Sequence, residues 1–270
     1  MFNKPIGVFD SGLGGLTAVK ELMKILPNED IVYFGDTSRV PYGNRSKNTI
    51  IKYAKQDISF LLSTGVKIII AACGTVSSVL TNTENFLNIP FTGVVKPTSI
   101  CAVNSTKNKR IGVIGTTATI KSHSYRDEIS KIDSSIKIFE QDCPLFVPLV
   151  ENGFIDKNDP ITNLVVERYL KPMIESKIDT LILGCTHYPI IKDIISKVIG
   201  KNIKLIDPGF ETALYCANYL KEFKMLNDKN EPGKCSFYVS DDTDDFSKIA
   251  EIFLGENIQR NVNKVNIENY

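Results

Sequence analysis

Histidine is scarce in this sequence, and the cysteines are not clustered. Only two histidines are present, His123 and His187, and none of the six cysteines forms a C-x-x-C pair. Zinc sites are built from clustered cysteine and histidine, so we expect no metal site. Unclustered thiols are also typical of proteins in a reducing compartment.

Long apolar runs and blocks of like charge are missing as well. No run approaches the length of a membrane-spanning helix, and residues 1–5 lead into a predicted strand without a signal-peptide pattern. The 32 basic and 31 acidic residues give a net charge of +1. We therefore expect a cytoplasmic protein with neither a membrane nor a nucleic-acid partner.

The composition is typical of a soluble globular protein. Of 270 residues, 43% are hydrophobic and 23% are charged, which allows one large domain or two of ordinary size. Short aliphatic runs alternate with segments whose apolar residues recur at helical spacing. This alternation predicts an α/β fold built from strand-turn-helix units.

A glycine-rich turn at residues 10–15 follows the first predicted strand. Its spacing matches neither the dinucleotide-binding fingerprint nor a P-loop, and the Asp10 carboxylate would repel a phosphate. A carboxylate there suits an ammonium group or a partner that takes protons. The alternative is a plain turn in which Asp10 caps the next helix.

Cys73 and Cys185 end matched stretches of the chain. In residues 68–75 and 181–187, an aliphatic run stops at a small residue and is followed by cysteine, with threonine within two positions. Each run predicts a buried strand, and the residues after it predict a helix start. Ligands bind at such strand ends, where helix N–H groups lower the pKa of a thiol. A single cysteine of this kind is usually a buried hydrophobe, but the repetition favours chemistry.

The pattern restarts at Arg110, because residues 111–117 resemble residues 6–12. Each half of the chain culminates in a strand, a cysteine and a helix. This self-similarity predicts two pseudo-symmetric open-sheet α/β domains with the active site in the cleft between them.

The predicted domain boundaries follow from this repeat. Residues 1–97 and 207–270 form the first domain, which carries Cys73, and residues 98–206 form the second, which carries Cys185. The last elements are assigned to the first domain because the second half is already complete with its own cysteine.

Two thiols that face each other across a cleft suit the inversion of a stereocentre. One takes a proton from one face of a carbon, and the other returns a proton to the opposite face. A carbanion beside a carboxylate also needs N–H and hydroxyl donors. Residues of the right type are Ser11, Gly43, Gly74, Thr75 and Thr186.

Three further features leave alternatives open. Glu151 ends an irregular apolar stretch and is either an acid/base group or a helix-end residue that faces water. The polar loop at residues 35–45 is either functional or a connector. His123 has no neighbour suited to acid/base work, so we expect a surface or packing role.

Four segments resemble the motifs of the glutamate racemases, a cofactor-independent group in the aspartate/glutamate racemase superfamily. They are residues 10–17, 33–43, 72–75 and 184–189. The likeness extends from about residue 5 into the last helix. It implies two α/β domains with a glutamate buried between them, no cofactor, a homodimer, and delivery of D-glutamate to peptidoglycan.

The same resemblance implies a role for each candidate residue. Cys73 would take the α-proton of D-glutamate, assisted by Asp10. Cys185 would take that of L-glutamate, assisted by Glu151 and His187. The substrate contacts implied are Asp10, Ser11, Tyr42, Gly43, Gly74, Thr75, Thr186 and His187.

One position departs from the family pattern, because Gly74 stands where asparagine is common. We expect the main chain or a neighbour to keep the substrate contact. The sequence also lacks the amino-terminal extension of relatives regulated by a cell-wall precursor, so we expect no such activation.

Three alternative functions also fit features of this sequence. An aspartate racemase of the same superfamily would keep both thiols. A thiol hydrolase or amidotransferase would use Cys185 with His187 and leave Cys73 idle, and this spacing is not the usual nucleophile–base arrangement. In a non-catalytic amino-acid-binding protein both thiols would serve only for packing.

Overall fold

The computed structural model describes residues 3–80, 87–255 and 262–270, and their strands form two sheets. The strands of the first sheet are β1 (Ile6–Asp10), β2 (Ile31–Gly35), β3 (Ile68–Ala71), β4 (Phe91–Gly93), β9 (Cys235–Val239) and β10 (Val262–Lys264). Those of the second are β5 (Arg110–Gly115), β6 (Lys137–Asp142), β7 (Thr180–Leu183) and β8 (Lys204–Ile206). Their spatial orders are β10-β9-β2-β1-β3-β4 and β6-β5-β7-β8, with parallel pairings.

Helices connect these strands, as parallel pairing requires. They are α1 (Leu16–Ile25), α2 (Lys47–Ser63), α3 (Gly74–Val79), α4 (Val95–Ser105), α5 (Thr117–Ser122), α6 (Ser124–Ile132), α7 (Phe146–Glu151), α8 (Pro160–Glu175), α9 (Lys192–Ile199), α10 (Pro208–Glu222) and α11 (Thr243–Leu254). Short 3-10 turns cover Thr37–Arg39, Tyr42–Asn44, Tyr188–Ile191 and Ile267–Asn269. Among the described residues, no helix combines the length and the apolar character needed to cross a membrane.

The prediction of an α/β fold with two parallel-sheet domains is confirmed by this architecture. Every residue of β1, β2, β3 and β7 is buried, because helices cover both faces of a parallel sheet. Late in the chain, β9 pairs with β2 in the first sheet, where Phe237 lies opposite Tyr33. The exact domain boundaries stay a prediction.

The two sheets place their cysteines in equivalent registers. In the first sheet Phe9 of β1 pairs with Ala71 of β3, and Cys73 follows two residues later. In the second sheet Ile114 of β5 pairs with Leu183 of β7, and Cys185 again follows two residues later. Each thiol therefore lies just beyond the carboxyl end of a central strand, beside the turn after its neighbouring strand.

Candidate active site

A cavity of about 570 Å³ is lined by residues that follow strands of both sheets. It contains every candidate residue named from the sequence: Asp10, Ser11, Tyr42, Gly43, Cys73, Gly74, Thr75, Glu151, Cys185, Thr186 and His187. His123 does not line it. The His123 side chain is exposed, and its Nδ1 lies 3.0 Å from the Glu140 carboxylate.

Cys73 lies at the cap of α3, with its Sγ 3.3 Å from the Ser11 hydroxyl. Burial and then the charge of Asp10 raise the pKa of this thiol to about 12, although the Ser11 hydroxyl and the Val76 N–H act in the opposite direction. The Val76 N–H therefore acts as predicted, but the prediction of a lowered pKa is wrong for Cys73, because the net shift is upward. Burial and the nearby carboxylate outweigh the N–H groups of a six-residue helix.

Asp10 is the last residue of β1, and its side chain is buried. One carboxylate oxygen accepts a hydrogen bond of 3.0 Å from the Gly12 N–H. The other, Oδ1, has no hydrogen-bond partner within the described part of the chain. Burial raises the pKa of the Asp10 carboxyl, against the charge of His187 and the main-chain N–H groups of Gly15, Gly12 and Ser11. An oxygen in this position is free to accept a proton or an ammonium hydrogen.

Cys185 is followed by a histidine that links it to a carboxylate. Nδ1 of His187 lies 3.8 Å from the Cys185 Sγ, and its Nε2 lies 2.9 Å from Oε1 of Glu151. Burial disfavours the charged ring, but the hydrogen bonds to Cys185 and Glu151 raise the pKa of His187 to about 10. The two thiols therefore meet opposite charges, the carboxylate of Asp10 at Cys73 and an imidazolium at Cys185.

Tyr42 contributes differently from its neighbour Gly43. Its side chain is buried, and its hydroxyl contacts the carboxyl groups of Asp36 and Asp57, which are also buried. The hydroxyl is thereby engaged inside the protein. The main chain of Tyr42 and Gly43 is what this segment offers to a ligand.

Several residues that line the cavity were missed by the sequence reasoning. Thr116, Thr117 and Thr119 follow β5, and the Thr116 hydroxyl lies 3.2 Å from that of Thr75 and 3.0 Å from that of Thr119. The internal repeat carried the signal for them, because Thr116 occupies the position equivalent to Ser11. Cys143, Asp241 and Asp242 also line the cavity, and no comparable pattern in the sequence marks them.

Within the described residues, no group of three or more histidine, cysteine, aspartate or glutamate side chains could hold a metal ion. All six cysteines are free, so neither candidate thiol is locked in a disulfide. A thiol that is free can carry a proton, which is the chemistry that the sequence predicted for this pair.

The chain matches the family model described as Asp/Glu/Hydantoin racemase over residues 19–214. It is 45% identical over 270 residues to the glutamate racemase of Thermoanaerobacter pseudethanolicus, covering 100% of both chains. The solved glutamate racemase of Francisella tularensis in complex with D-glutamate is 42% identical, with a TM-score of 0.92 and 100% of each chain covered. A solved glutamate racemase isoform of Bacillus anthracis is 35% identical, with a TM-score of 0.93 and 98% of each chain covered.

Proposed function

We propose that this chain, which belongs to the Asp/Glu/hydantoin racemase family and is an amino-acid racemase, interconverts L-glutamate and D-glutamate. The support for glutamate is the full-length similarity to glutamate racemases, one of which was solved with D-glutamate. The observation that carries the proposal is that Cys73 and Cys185 line one cavity, each after an equivalent strand.

In the proposed mechanism the two thiols act on opposite faces of the α-carbon. From L-glutamate, the Cys185 thiolate takes the α-proton, and the electron pair of the broken C–H bond stays on the carbon. Cys73 then gives its thiol proton to the opposite face, which forms D-glutamate and leaves a Cys73 thiolate. One proton is removed and one returned, and the roles exchange in the reverse direction.

The surroundings of the thiols support these roles. A pKa of about 12 keeps Cys73 protonated at neutral pH, as the acid role requires. The charged ring of His187, held by Glu151, lies next to Cys185. When D-glutamate is the substrate, the unpartnered Oδ1 of Asp10 is available to take the proton of Cys73.

The remaining residues would hold the substrate and its developing charge. A carbanion next to a carboxylate is stabilised by donors aimed at the carboxylate oxygens. Hydroxyl and main-chain donors surround the cavity, and those proposed for this role are Ser11, Tyr42, Gly43, Gly74, Thr75, Thr186 and His187. Two of the hydroxyls belong to residues beside Cys73. The Ser11 hydroxyl comes from a distant part of the sequence and lies 3.3 Å from the Cys73 Sγ, and Thr75 lies two positions after Cys73 in the chain.

The deciding experiment follows the α-proton in D2O. Wild type, Cys73→Ser and Cys185→Ser are incubated with each enantiomer, and optical rotation and deuterium at Cα are measured. We expect wild type to invert both enantiomers and each serine variant to lose inversion by several orders of magnitude. Cys101→Ser is the matched control, because Cys101 lies on α4 outside the cavity lining. Full inversion by either active-site variant would exclude the two-thiol mechanism.

The same assay separates the alternatives. Replacing glutamate by aspartate identifies an aspartate racemase, which would invert aspartate faster. Release of ammonia or of an acyl product would identify a thiol hydrolase or amidotransferase. Binding without exchange at Cα would identify an amino-acid-binding protein in which the thiols only pack.

We further propose the cellular setting implied by the resemblance. The enzyme would act in the cytoplasm as a homodimer and supply D-glutamate for peptidoglycan. Depletion of the protein should then stop wall growth, and external D-glutamate should restore it. Light scattering of the purified chain tests the dimer. Stable folding of residues 98–206 as an isolated fragment would support the proposed domain boundaries.

A further inference from the structure

A buried polar cluster lies behind the main-chain segment that we assign to substrate binding. It consists of Asp36, Arg39, Tyr42 and Asp57, and we call it the Asp36 cluster. Asp36 and Asp57 are 0% exposed, Tyr42 is 1% exposed and Arg39 is 9% exposed. Charged side chains that are buried this close together must be paired through specific hydrogen bonds. The contacts therefore indicate which carboxyl group carries a proton.

Arg39 supplies the only positive charge found inside the cluster in the described structure. Its Nε donates to Asp36 at 2.6 Å, and an amino group of the same guanidinium contacts Asp57 at 3.3 Å. The other amino group donates to the amide oxygen of Gln56 at 2.6 Å and lies 3.4 Å from the mostly exposed Glu268. Two ionised aspartates around one guanidinium would leave a net negative charge in a buried site.

The Tyr42 hydroxyl decides which carboxyl is neutral. It contacts Asp36 in a short hydrogen bond and also lies 3.3 Å from Oδ2 of Asp57. A tyrosine hydroxyl has one hydrogen, which goes to Asp36 in the shorter contact. The second contact is a hydrogen bond only if Asp57 supplies the hydrogen. Asp57 must then be a carboxylic acid rather than a carboxylate.

The electrostatic surroundings of Asp57 agree with this count. Burial and then the charge of Asp36 raise the pKa of Asp57 well above its ordinary value, with a smaller contribution from Asp10. The guanidinium of Arg39 acts in the opposite direction, and so would the Tyr42 hydroxyl if its hydrogen were given to Asp57 instead of Asp36. With one proton on Asp57, the single charge of Arg39 is balanced by Asp36.

The Asp36 cluster also ties together segments that line the cavity. The second oxygen of Asp36 accepts a hydrogen bond of 2.8 Å from the Ser240 hydroxyl, in the loop that carries Asp241 and Asp242. The Tyr42 hydroxyl connects the same carboxylate to the segment that carries Gly43. The buried carboxylate of Asp36 therefore connects two loops that line the cavity, the loop with Gly43 and the loop with Asp241 and Asp242.

We propose that Asp57 is a protonated acid that donates to the Tyr42 hydroxyl, and that the Asp36 cluster positions the Tyr42–Gly43 main chain for the substrate. Asp36, Arg39 and Asp57 are then positioning residues, since none of the three is needed to touch glutamate. The positioning part rests on the proposed racemase function, whereas the protonation of Asp57 does not.

Infrared difference spectroscopy tests the proton directly. Spectra of wild type and Asp57→Asn, both with carbon-13 in the aspartate side chains, are compared at neutral pH. We expect wild type to show the C=O band of a buried carboxylic acid that Asp57→Asn lacks. An ionised Asp57 would instead give a difference in the carboxylate region, and this result would overturn the assignment whatever the enzyme's activity.

Kinetics of paired variants test the positioning role. Asparagine keeps a neutral donor and an acceptor at position 57, so we expect Asp57→Asn to retain kcat/KM within about twofold. Asp57→Leu and Tyr42→Phe each leave buried polar partners unsatisfied. We expect them to raise the KM for glutamate about tenfold while kcat falls less, because the chemistry at the thiols is untouched.

Each outcome separates this proposal from the racemase proposal. Equal, severe loss in Asp57→Asn and Asp57→Leu would mean that Arg39 needs a charge at position 57, and would overturn the neutral acid. An unchanged KM in Tyr42→Phe would overturn the positioning role while wild-type racemisation stands. If wild type does not racemise glutamate, the positioning role falls with the racemase, and the infrared band still decides the state of Asp57. If Asp57→Leu does not fold, the KM of Tyr42→Phe and the infrared spectra still test the proposal.

Discussion

Nε2 of His187 lies 2.9 Å from Oε1 of Glu151, on the side of the ring that faces away from Cys185. Glu151→Gln removes the charge that helps to hold the imidazolium. The pKa of His187 should therefore fall from about 10 toward its usual range, by roughly one unit or more. We expect the alkaline decline of glutamate racemisation to move to lower pH, as measured by kcat/KM across the pH range.

Glu140→Gln is the matched control, because Glu140 also pairs with a histidine, His123 at 3.0 Å, but lies outside the cavity lining; its side chain is largely buried and also contacts Arg126 at 2.6 Å. It should leave the pH profile unchanged. The raised pKa of His187 also makes the stability of the protein depend on pH. A folded-state pKa above the unfolded value near 6.5 stabilises the protein fully below that value, and the contribution is lost as pH rises through about 10. Identical profiles for wild type and Glu151→Gln would contradict the role of the Glu151 charge.

Asp10 acts on the titration of Cys73 through its charge. After burial, it is the largest contribution that raises the pKa of this thiol to about 12. Asp10→Asn should lower that pKa, so Cys73 should alkylate faster at a given pH in the alkaline range. Peptide mapping by mass spectrometry measures the rate at Cys73 alone. In the same variant, racemisation should fall, because an amide cannot take the thiol proton.

Asp241→Asn serves as the control for this charge effect. Asp241 also lines the cavity, but its carboxylate lies 3.5 Å from Nζ of Lys264 and is not among the largest contributions to the pKa of Cys73. Its alkylation profile at Cys73 should match wild type. A slower reaction of Cys73 in Asp10→Asn than in wild type would mean that access, rather than charge, governs this thiol.

The position of both thiols was predictable from the sequence because it depends on local patterns. An aliphatic run followed by a small residue, cysteine and a helix start fixes where a strand ends. The parallel registers of Phe9 with Ala71 and of Ile114 with Leu183 then bring those ends beside the neighbouring turns. The repeat within the chain supplied the two-sheet architecture in the same way.

Properties that arise between distant segments were not predictable. The high pKa of Cys73 depends on burial and on Asp10, which lies 63 positions earlier in the chain, and neither is visible in the pattern around residue 73. Asp57 lies on the helix α2 at helical spacing from Ala54 and Leu61, so its burial fits the apolar pattern, but the charge of Asp36 that raises its pKa comes from another segment. Charges brought together by tertiary packing decide both cases.

Gly74 lies close to the loop that carries Cys185. A Cβ added at Gly74 would lie 2.7 Å from the carbonyl oxygen of Gly184, which is main chain and cannot rotate away. Gly74→Ala should therefore push the two thiol loops apart. Misplacement of reacting groups by about 1 Å can reduce rates about a hundredfold, so we expect kcat/KM for glutamate to fall between tenfold and a hundredfold.

Gly209→Ala is the control for replacing a buried glycine with alanine. Gly209 is also buried in the first turn of a helix, but its added Cβ meets Ala18 at 3.2 Å, away from the cavity lining. We expect normal kinetics from this variant. Wild-type kinetics in Gly74→Ala, with an unchanged melting temperature, would show that the contact with Gly184 does not set the spacing. The Thr119 hydroxyl, 3.7 Å from the same Cβ position, is the neighbour able to supply a donor beside Gly74.

The last prediction concerns stability far from the cavity, at the buried pair of Lys67 and Glu29. Nζ of Lys67 donates to Glu29 at 2.6 Å and to the Met225 carbonyl at 2.8 Å, while the Asn227 N–H donates to Glu29 at 2.6 Å. Lys67→Met leaves the Glu29 charge buried without its cation, which should cost about 3–5 kcal/mol of the free energy of unfolding. Urea denaturation measures this loss.

A second change at the partner separates charge from packing. The double variant Lys67→Met/Glu29→Gln removes the orphaned charge but keeps an acceptor for the Asn227 N–H. It should therefore be more stable than Lys67→Met alone, because a neutral amide costs less to bury than a carboxylate. The folded fraction of both variants should racemise glutamate at the wild-type rate, since neither residue lines the cavity. Equal stability of the single and double variants would show that lost packing of the Lys67 side chain, rather than the uncompensated charge of Glu29, accounts for the destabilisation.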